Sequence, residues 1–323
     1  MITNRNNIDL PMAVWLASDE YNGINEGTTV SVTTLLKPIK ATILSSRMTT
    51  VPEADISDLI PSRLGTAIHD AIERSWKANP EKVMQLMGLP KGMYEELRVN
   101  PEEHDDEAFN VYLEQRVSRE FMGFTINGQY DLIFDGEIQD IKTTGTFTWE
   151  TGAKDEDYVK QLSVYRWLNT DKVEEEYGTI HFFFTDWKKL DYIKNPKTYP
   201  PLRVQSKRYK LMSLHETEQW LRTRLTELRS YWDLPQDQLP VCTPKELWQR
   251  DPVYKYYKDP NNRKRSSGNF ATPEEADRKR RESGGIGIIV PVYGSPTACL
   301  YCSAMAQCDQ AQSYIRNGTL KTN

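Results

Sequence analysis

No cysteine precedes position 242, and the whole chain of 323 residues carries only four. So sparse and late a set excludes the disulfide framework of a small secreted domain. Long apolar runs are also missing. The longest near the start, Leu10 to Ala17, is too short to span a bilayer and lacks the basic flank and cleavage site of an export signal. A soluble cytoplasmic protein without a membrane partner is the expectation. Excess positive charge is absent too: the net charge of −5 argues against a generic nucleic-acid binder and confines any polyanion contact to local patches. There is no G-x-x-x-x-G-K-[ST] loop, so the chain cannot unwind DNA by itself. Internal repeats and low-complexity tracts are lacking as well. What remains, 38% hydrophobic and 11% aromatic residues, suffices for a packed core in one large domain or two.

The most informative stretch runs from Gly128 to Thr144. It reads as two short strands joined at Asp135-Gly136, since Asp-Gly supplies the positive backbone dihedrals of a two-residue hairpin turn. Counting from that turn, Phe134 faces Glu137, Ile133 faces Ile138 and Asp131 faces Asp140. Opposed carboxylates stand only ~4.5–5.5 Å apart at Cβ, which is destabilising unless something compensates. A hard divalent cation is the natural compensation. Lys142, two positions beyond Asp140, returns to the same strand face. The stretch therefore predicts a metal site with an ammonium group beside it. The plainer reading makes both aspartates solvated turn carboxylates and Lys142 a surface residue.

Around the hairpin, Ser31 to Pro38 offers a capped short helix or turn. Ser62 to Lys77 reads as a helix capped by Ser62, with Leu64, Ile68, Ile72 and Trp76 at helical spacing, and with Gly65, His69 and Glu73 sharing a face. A second helix is expected from Phe109 to Met122, then a strand from Phe124 to Ile126 and a turn at Asn127-Gly128. Tyr158 to Asn169 reads as a helix with Gln161 and Tyr165 one turn apart, and Thr179 to Thr185 as a strand. An edge strand at Arg203 to Met212 and an amphipathic helix from His215 to Trp232 follow. This order predicts an α/β or α+β layer fold, with a mixed central sheet flanked by helices. The composition shifts at Leu234-Pro235 and Leu239-Pro240, which suggests domains at 1–235 and 236–323.

Four segments, in this order, resemble the PD-(D/E)XK nuclease superfamily and within it the RecB-like exonucleases, whose fold is restriction-endonuclease-like. They are Gly65-Thr66-Ala67-Ile68-His69 with Glu73, Gly128-Gln129-Tyr130-Asp131, Asp140-Ile141-Lys142-Thr143-Thr144, and Gln161-Leu162-Ser163-Val164-Tyr165. The resemblance implies that His69, Asp131, Asp140 and the backbone carbonyl of Ile141 ligate Mg²⁺ or Mn²⁺, with Lys142 orienting or deprotonating the attacking water. An imidazole ligand shifts the preference towards Mn²⁺. A lysine held between a cation and apolar strands is expected to have a depressed pKa. Gln161 and Tyr165 would contact the nucleic-acid backbone, and Glu73 would fix His69 or hold a second ion. The implied activity is metal-dependent hydrolysis of DNA, from ends or single strands, in recombination, repair or degradation. The implied setting is a bacterial or phage-infected cell, with a helicase, recombinase or CRISPR adaptation protein as partner. A non-catalytic DNA-binding or assembly protein of the same fold, or a zinc-stapled endonuclease, is the alternative.

Cys299-x-x-Cys302-x5-Cys308 lies near the end of the chain and Cys242 stands alone upstream. Four thiolates suit a [4Fe–4S] cluster or a zinc ion. A remote cysteine with a C-terminal trio resembles the iron–sulfur staple of CRISPR-associated RecB-like exonucleases, although there the remote cysteine precedes the nuclease motifs. Here the cluster would instead close a loop within the C-terminal lobe. That loop interleaves bases with Trp248, Tyr254, Tyr256 and Tyr257 and carries the run Arg278-Lys279-Arg280-Arg281, a composition suited to gripping a single strand.

Overall fold

Residues 2–18, 28–49 and 53–322 are described by a computed structural model. It divides into two compact units, Met1–Leu36 with Val51–Thr226, and Lys37–Thr50 with Glu227–Asn323.

Two tight turns set the first unit. Asp135-Gly136 has φ of 47° and 74°, and Met122-Gly123 has φ of 53° and 75°. Positive φ at both central positions is the hairpin geometry whose twist matches that of the flanking strands. Each turn aligns its strands by simple counting, so Phe134 pairs with Glu137 and Phe121 with Phe124. Among the described residues, seven strands form one mixed sheet. Its main path runs Leu97–Val99, Phe109–Phe121, Phe124–Phe134, Glu137–Thr144, Tyr177–Phe184 and Val204–Lys210, and Thr29–Ser31 pairs in parallel with Phe124–Phe134.

Two expectations are corrected here. The segment Phe109–Phe121 is a strand of 13 residues and not a helix. Phe109, Leu113, Val117 and Phe121 recur every fourth residue, a spacing that places side chains on one side of either element. The β-formers Val111, Tyr112 and Val117 and the hairpin partner decide for the strand. The turn also lies earlier than Asn127-Gly128. Those two residues pair with Ser118 and Val117 inside the strand Phe124–Phe134.

Helices pack on the Asp140 strand, Glu137–Thr144. The His69 helix, Ile60–Ala78, opens with Pro61 in its first turn, so Ser62 is not its cap and its hydroxyl instead donates to the Leu59 carbonyl at 2.8 Å. The Gln161 helix, Asp155–Leu168, begins with three acidic residues that suit the positive end of the helix dipole and buries Tyr158, Leu162, Val164 and Trp167. No helix among the described residues is long and apolar enough to cross a membrane.

The second unit is discontinuous in sequence. Its first segment forms the helix Ile39–Ser46, which buries Ile39, Ile43 and Leu44. Lys40, 2% exposed, forms an ion pair with Asp309 at 2.7 Å and donates to the Gln236 carbonyl. Ser45 and Ser303 hydroxyls meet at 2.7 Å, and Arg47 donates to the Trp232 carbonyl. The division after Thr226 and the recruitment of Lys37–Thr50 differ from the boundary expected at 235. Prolines mark a local break in composition, whereas the compact units follow long-range packing that contiguity does not reveal. A three-stranded antiparallel sheet, Gly268–Phe270, Val253–Tyr257 and Ile288–Val292, also lies in this unit.

Because Ile43 is fully buried, Ile43→Ala is expected to destabilise the protein by ~2–5 kcal/mol. Lys40→Met keeps most of the apolar stem and leaves a half-exposed Asp309 that water can solvate, so its cost should stay below about 1 kcal/mol. Chemical denaturation of the two variants checks the contrast.

Candidate active site

The site is a fork in the sheet. One edge of Phe124–Phe134 is paired along its length by Phe109–Phe121, except opposite Asp131. The other edge is shared: Thr29–Ser31 takes residues 125–127, and Glu137–Thr144 takes residues 132–134. Between them, among the described residues, 128–131 have no strand partner on that edge. Asp131 fills the gap with its side chain, Oδ2 accepting from the Ile141 amide at 2.7 Å. The register expected from the turn holds for Phe134, Ile133 and Leu132 and stops where Asp131 would face Asp140. Gly128 serves the same opening. A Cβ there would meet Tyr165 Cε1 at 2.7 Å, so only glycine lets the ring lie against the strand, with its hydroxyl donating to the Gln129 carbonyl at 2.8 Å.

Three acids occupy one register row. Leu113 pairs with Leu132 and Gln115 with Tyr130, which places Glu114 opposite Asp131 without ladder pairing, and the same count carries on to Asp140. Glu114 has φ of 49°, in the left-handed region. His69 closes the group from its helix: Nε2 lies 3.0 Å from the Ile141 carbonyl, and Nδ1 lies 3.5 Å from Glu114 Oε1 and 3.6 Å from Asp131 Oδ1. Asp140 is buried, with Oδ1 accepting from Gln161 Nε2 at 3.0 Å. Its Oδ2 forms an ion pair with Lys142 Nζ at 2.6 Å.

The electrostatics follow from this crowding. Burial and then the Asp140 charge push the Asp131 carboxyl up to about 7. Burial opposes the charge of His69, but Glu114, Asp131 and Asp140 outweigh it and raise its pKa to about 9. Burial likewise opposes the Lys142 ammonium, and Asp140 and Asp131 overcome it, so its pKa is raised. In the metal-free site the two carboxylates beside Lys142 therefore outweigh the apolar strands, whereas the depression expected of it concerns the site with a cation bound.

His69, Asp131, Asp140, Ile141, Lys142, Gln161 and Tyr165 all reach this fork. Glu73, one helical turn beyond His69, pairs with Lys77 at 2.6 Å. Gln161 and Tyr165 are buried, and their side chains bond Asp140 and the Gln129 carbonyl. Sequence reasoning missed Glu114, since the helix assigned to its segment hid the register that counting from Met122-Gly123 would have given. Among the described residues, His69, Glu114 and Asp131 are the metal-type ligands drawn within 4.8 Å of one another. Imidazole with the carboxylate oxygens of Asp131, Glu114 and Asp140 and the Ile141 carbonyl oxygen forms a donor set that fits a hard divalent cation.

In the second unit, Cys242 and Cys308 pack with buried Cys299 around Leu247, Ala311 and Leu320. Gln310 clamps the remote cysteine, its side chain bonding the Cys242 amide at 2.8 Å and carbonyl at 2.9 Å. Burial, with the neighbouring charges of Glu246 and the other three cysteines, pushes the Cys242 thiol up to about 12. The basic run is tempered by its own helix, Pro273–Glu282, since Asp277 pairs with Arg280 at 2.7 Å and Arg281 at 3.1 Å.

A family model for the PD-(D/E)XK nuclease superfamily matches residues 44–244. The chain belongs to the PD-(D/E)XK nuclease superfamily. Members of this superfamily are metal-dependent nucleases, and the mixed sheet with flanking helices is its restriction-endonuclease-like fold. The matched span includes His69, Glu114, Asp131, Asp140, Lys142, Gln161, Tyr165 and Cys242 but ends before Cys299. No curated protein matches the chain. A solved chain described as "Crystal structure of SSO0001" is similar at 16% identity and a TM-score of 0.40, covering 64% of this chain and 78% of that one.

The raised His69 pKa carries a sign. Its stabilising charge is complete below the unfolded value near 6.5 and is lost as pH rises towards 9. Asp131, also raised, loses stability earlier, between its unfolded value and about 7. Metal-free protein is therefore expected to show a falling Tm from about pH 7 to about pH 8.5, and His69→Gln should flatten that slope. Thermal unfolding with a chelator across this range checks it.

Proposed function

We propose that the protein is a Mg²⁺- or Mn²⁺-dependent deoxyribonuclease that degrades DNA from ends, with a [4Fe–4S] cluster held in its second unit. The observation that carries the nuclease reading is the fork, where His69 Nε2, the Ile141 carbonyl, Asp131 and the buried carboxylate of Asp140 come together with Lys142. His69, Asp131, Asp140 and the Ile141 carbonyl would hold the ion. When bound, it supplies a water of lowered pKa and a Lewis acid for the scissile phosphate.

The chain's own groups account for the rest. Asp131 fixes the Ile141 amide and so aims the carbonyl on the same residue. Gln161 holds one oxygen of Asp140, which leaves the other turned to the site. Lys142, cationic beside two carboxylates, offsets charge that develops at the phosphate and orients the attacking water. Tyr165 positions the strand through Gln129. For grip, the exposed Lys258, Arg263, Lys264 and Arg265 between two strands of the small sheet suit phosphate contacts better than the self-paired arginines of the following helix. The preference for ends over internal sites rests on the resemblance to RecB-like exonucleases. The cluster reading rests on the resemblance and on four cysteines in one unit, with the Gln310 side chain, two residues after Cys308, bonded to the backbone of Cys242.

With Mn²⁺ or Mg²⁺ and end-labelled single- and double-stranded DNA, products should shorten progressively from an end. Asp140→Ala and Lys142→Ala should each lower the rate by about 10²-fold or more. Cleavage that is unaltered in both variants, or absent from the wild type, would sink the enzyme reading, and a closed circular substrate cut as fast as a linear one would sink the preference for ends. Anaerobically purified protein should be brown and lose its colour and iron together in Cys242→Ser. Colourless protein with stoichiometric zinc would replace the cluster with a zinc staple.

A further inference from the structure

Glu114 sits in an unusual place for an acidic residue. The strand around it is regular, with Leu113 and Gln115 both paired in one unbroken register, yet Glu114 itself adopts φ of 49°. A side chain other than glycine is disfavoured there, and such a residue persists where its surroundings hold it. Two contacts hold this one. Oε2 accepts from Gln129 Nε2 at 2.8 Å, and Oε1 faces His69 Nδ1 at 3.5 Å. Gln129 in turn receives the Tyr165 hydroxyl at its carbonyl. A continuous polar chain thus runs Tyr165, Gln129, Glu114, His69, joining the Gln161 helix to the His69 helix through two strands.

The other side of the imidazole explains what that chain does. His69 Nε2 stands 3.0 Å from the Ile141 carbonyl oxygen. Two atoms that each lie ~2.1 Å from one octahedral ion, at right angles, are about 3.0 Å apart. The separation that serves a hydrogen bond in the metal-free site also suits neighbouring ligands, and with an ion on Nε2 the ring proton would sit on Nδ1. Asp131 Oδ1 also lies near Nδ1, at 3.6 Å, but in the nuclease reading that oxygen is the one left to hold the ion, since Oδ2 accepts from the Ile141 amide. Glu114 is the acceptor left for Nδ1–H.

Building on the nuclease reading above, we propose that Glu114 is a positioning residue, which fixes the ring and tautomer of His69 so that Nε2 is presented to the catalytic ion. A ligating histidine whose second nitrogen is held by a carboxylate is oriented and made more basic. The strand's departure to positive φ brings the carboxylate to that nitrogen.

The test uses the full-length protein and Mn²⁺, with binding read by the electron paramagnetic resonance of free Mn²⁺ as well as by cleavage. Glu114→Gly removes the carboxylate and suits the positive φ, so the metal-free protein should keep or raise its Tm. Its Mn²⁺ affinity should fall ~10–100-fold. Glu114→Gln, which keeps an acceptor, should recover a large part of that affinity, and cleavage by both variants should return at saturating Mn²⁺. In a His69→Ala background, Glu114→Gly should have no further effect, because it acts through the lost ring. An equal loss in that background would make Glu114 a direct ligand and overturn the proposal, as would unchanged affinity in the single variant. If His69→Ala itself leaves Mn²⁺ binding intact, the ligand set of the nuclease reading fails first. If His69→Ala weakens binding and Glu114→Gly does not, only the role of Glu114 fails.

Discussion

One hydrogen bond organises the site: the Asp131 carboxylate accepting the Ile141 amide where backbone pairing would otherwise continue. A strand amide left without a partner is costly, and a side chain that satisfies it can hold two strands apart as firmly as a ladder holds them together. The substitution opens the sheet by the width of a side chain. It also turns the Ile141 carbonyl towards the His69 helix, while Asp140 and Lys142 meet as an ion pair at 2.6 Å. Each group then comes from a different element but is anchored within a few residues of the same fork. Precision of this kind is easier to keep on strands and helices than on loops.

Such proximity is expensive in the absence of a cation. Two like charges 4 Å apart repel by about 4 kcal/mol at an effective dielectric constant of about 20. Asp131, Asp140 and Glu114 share one register row, and only His69 and Lys142 lie among them with opposite charge. The fold answers in two ways. Asp131 is pushed towards the neutral form, and the two bases are pushed towards the charged form. All three shifts point to a site short of positive charge. An ion bound there would reverse each of them, so metal binding should release protons and add stability together.

Much of this was legible in the sequence because it is encoded locally. The Asp135-Gly136 turn fixes a register by counting, and that register places Asp131, Asp140 and Lys142. The helices that carry His69 and Gln161 announce themselves by periodicity. What stayed hidden depends on partners distant in sequence. Phe109–Phe121 has a four-residue spacing that helix and strand share, so its strand identity comes from pairing with Phe124–Phe134. Glu114 vanished along with it. Glu73 and Glu114 were equally eligible neighbours for His69, and the choice is made by Lys77, which takes the first, and by a backbone angle that directs the second. Gln161 and Tyr165 were placed correctly on one helix face, but whether that face meets the sheet or a ligand is a matter of burial.

The cysteines raise the same issue at a larger scale. A set that begins at Cys242 can close only a loop of chain that follows the nuclease motifs. The unit that contains them nevertheless includes Lys37–Thr50, which precedes those motifs. What a cysteine would do covalently on that side is done by the buried Ile39 and Ile43, the Lys40–Asp309 ion pair and the serine pair at Ser45 and Ser303. Asp309 directly follows Cys308 and Ser303 directly follows Cys302, so two of these contacts attach to residues adjoining the thiols. Closing a long loop costs little more than closing a short one, since the entropy grows only with the logarithm of length. A few well-buried contacts are therefore enough to return the early segment to the late unit. Order imposed on Cys302 and Cys308 by a bound metal would then be order imposed on the anchors of Lys37–Thr50, although that segment supplies no ligand.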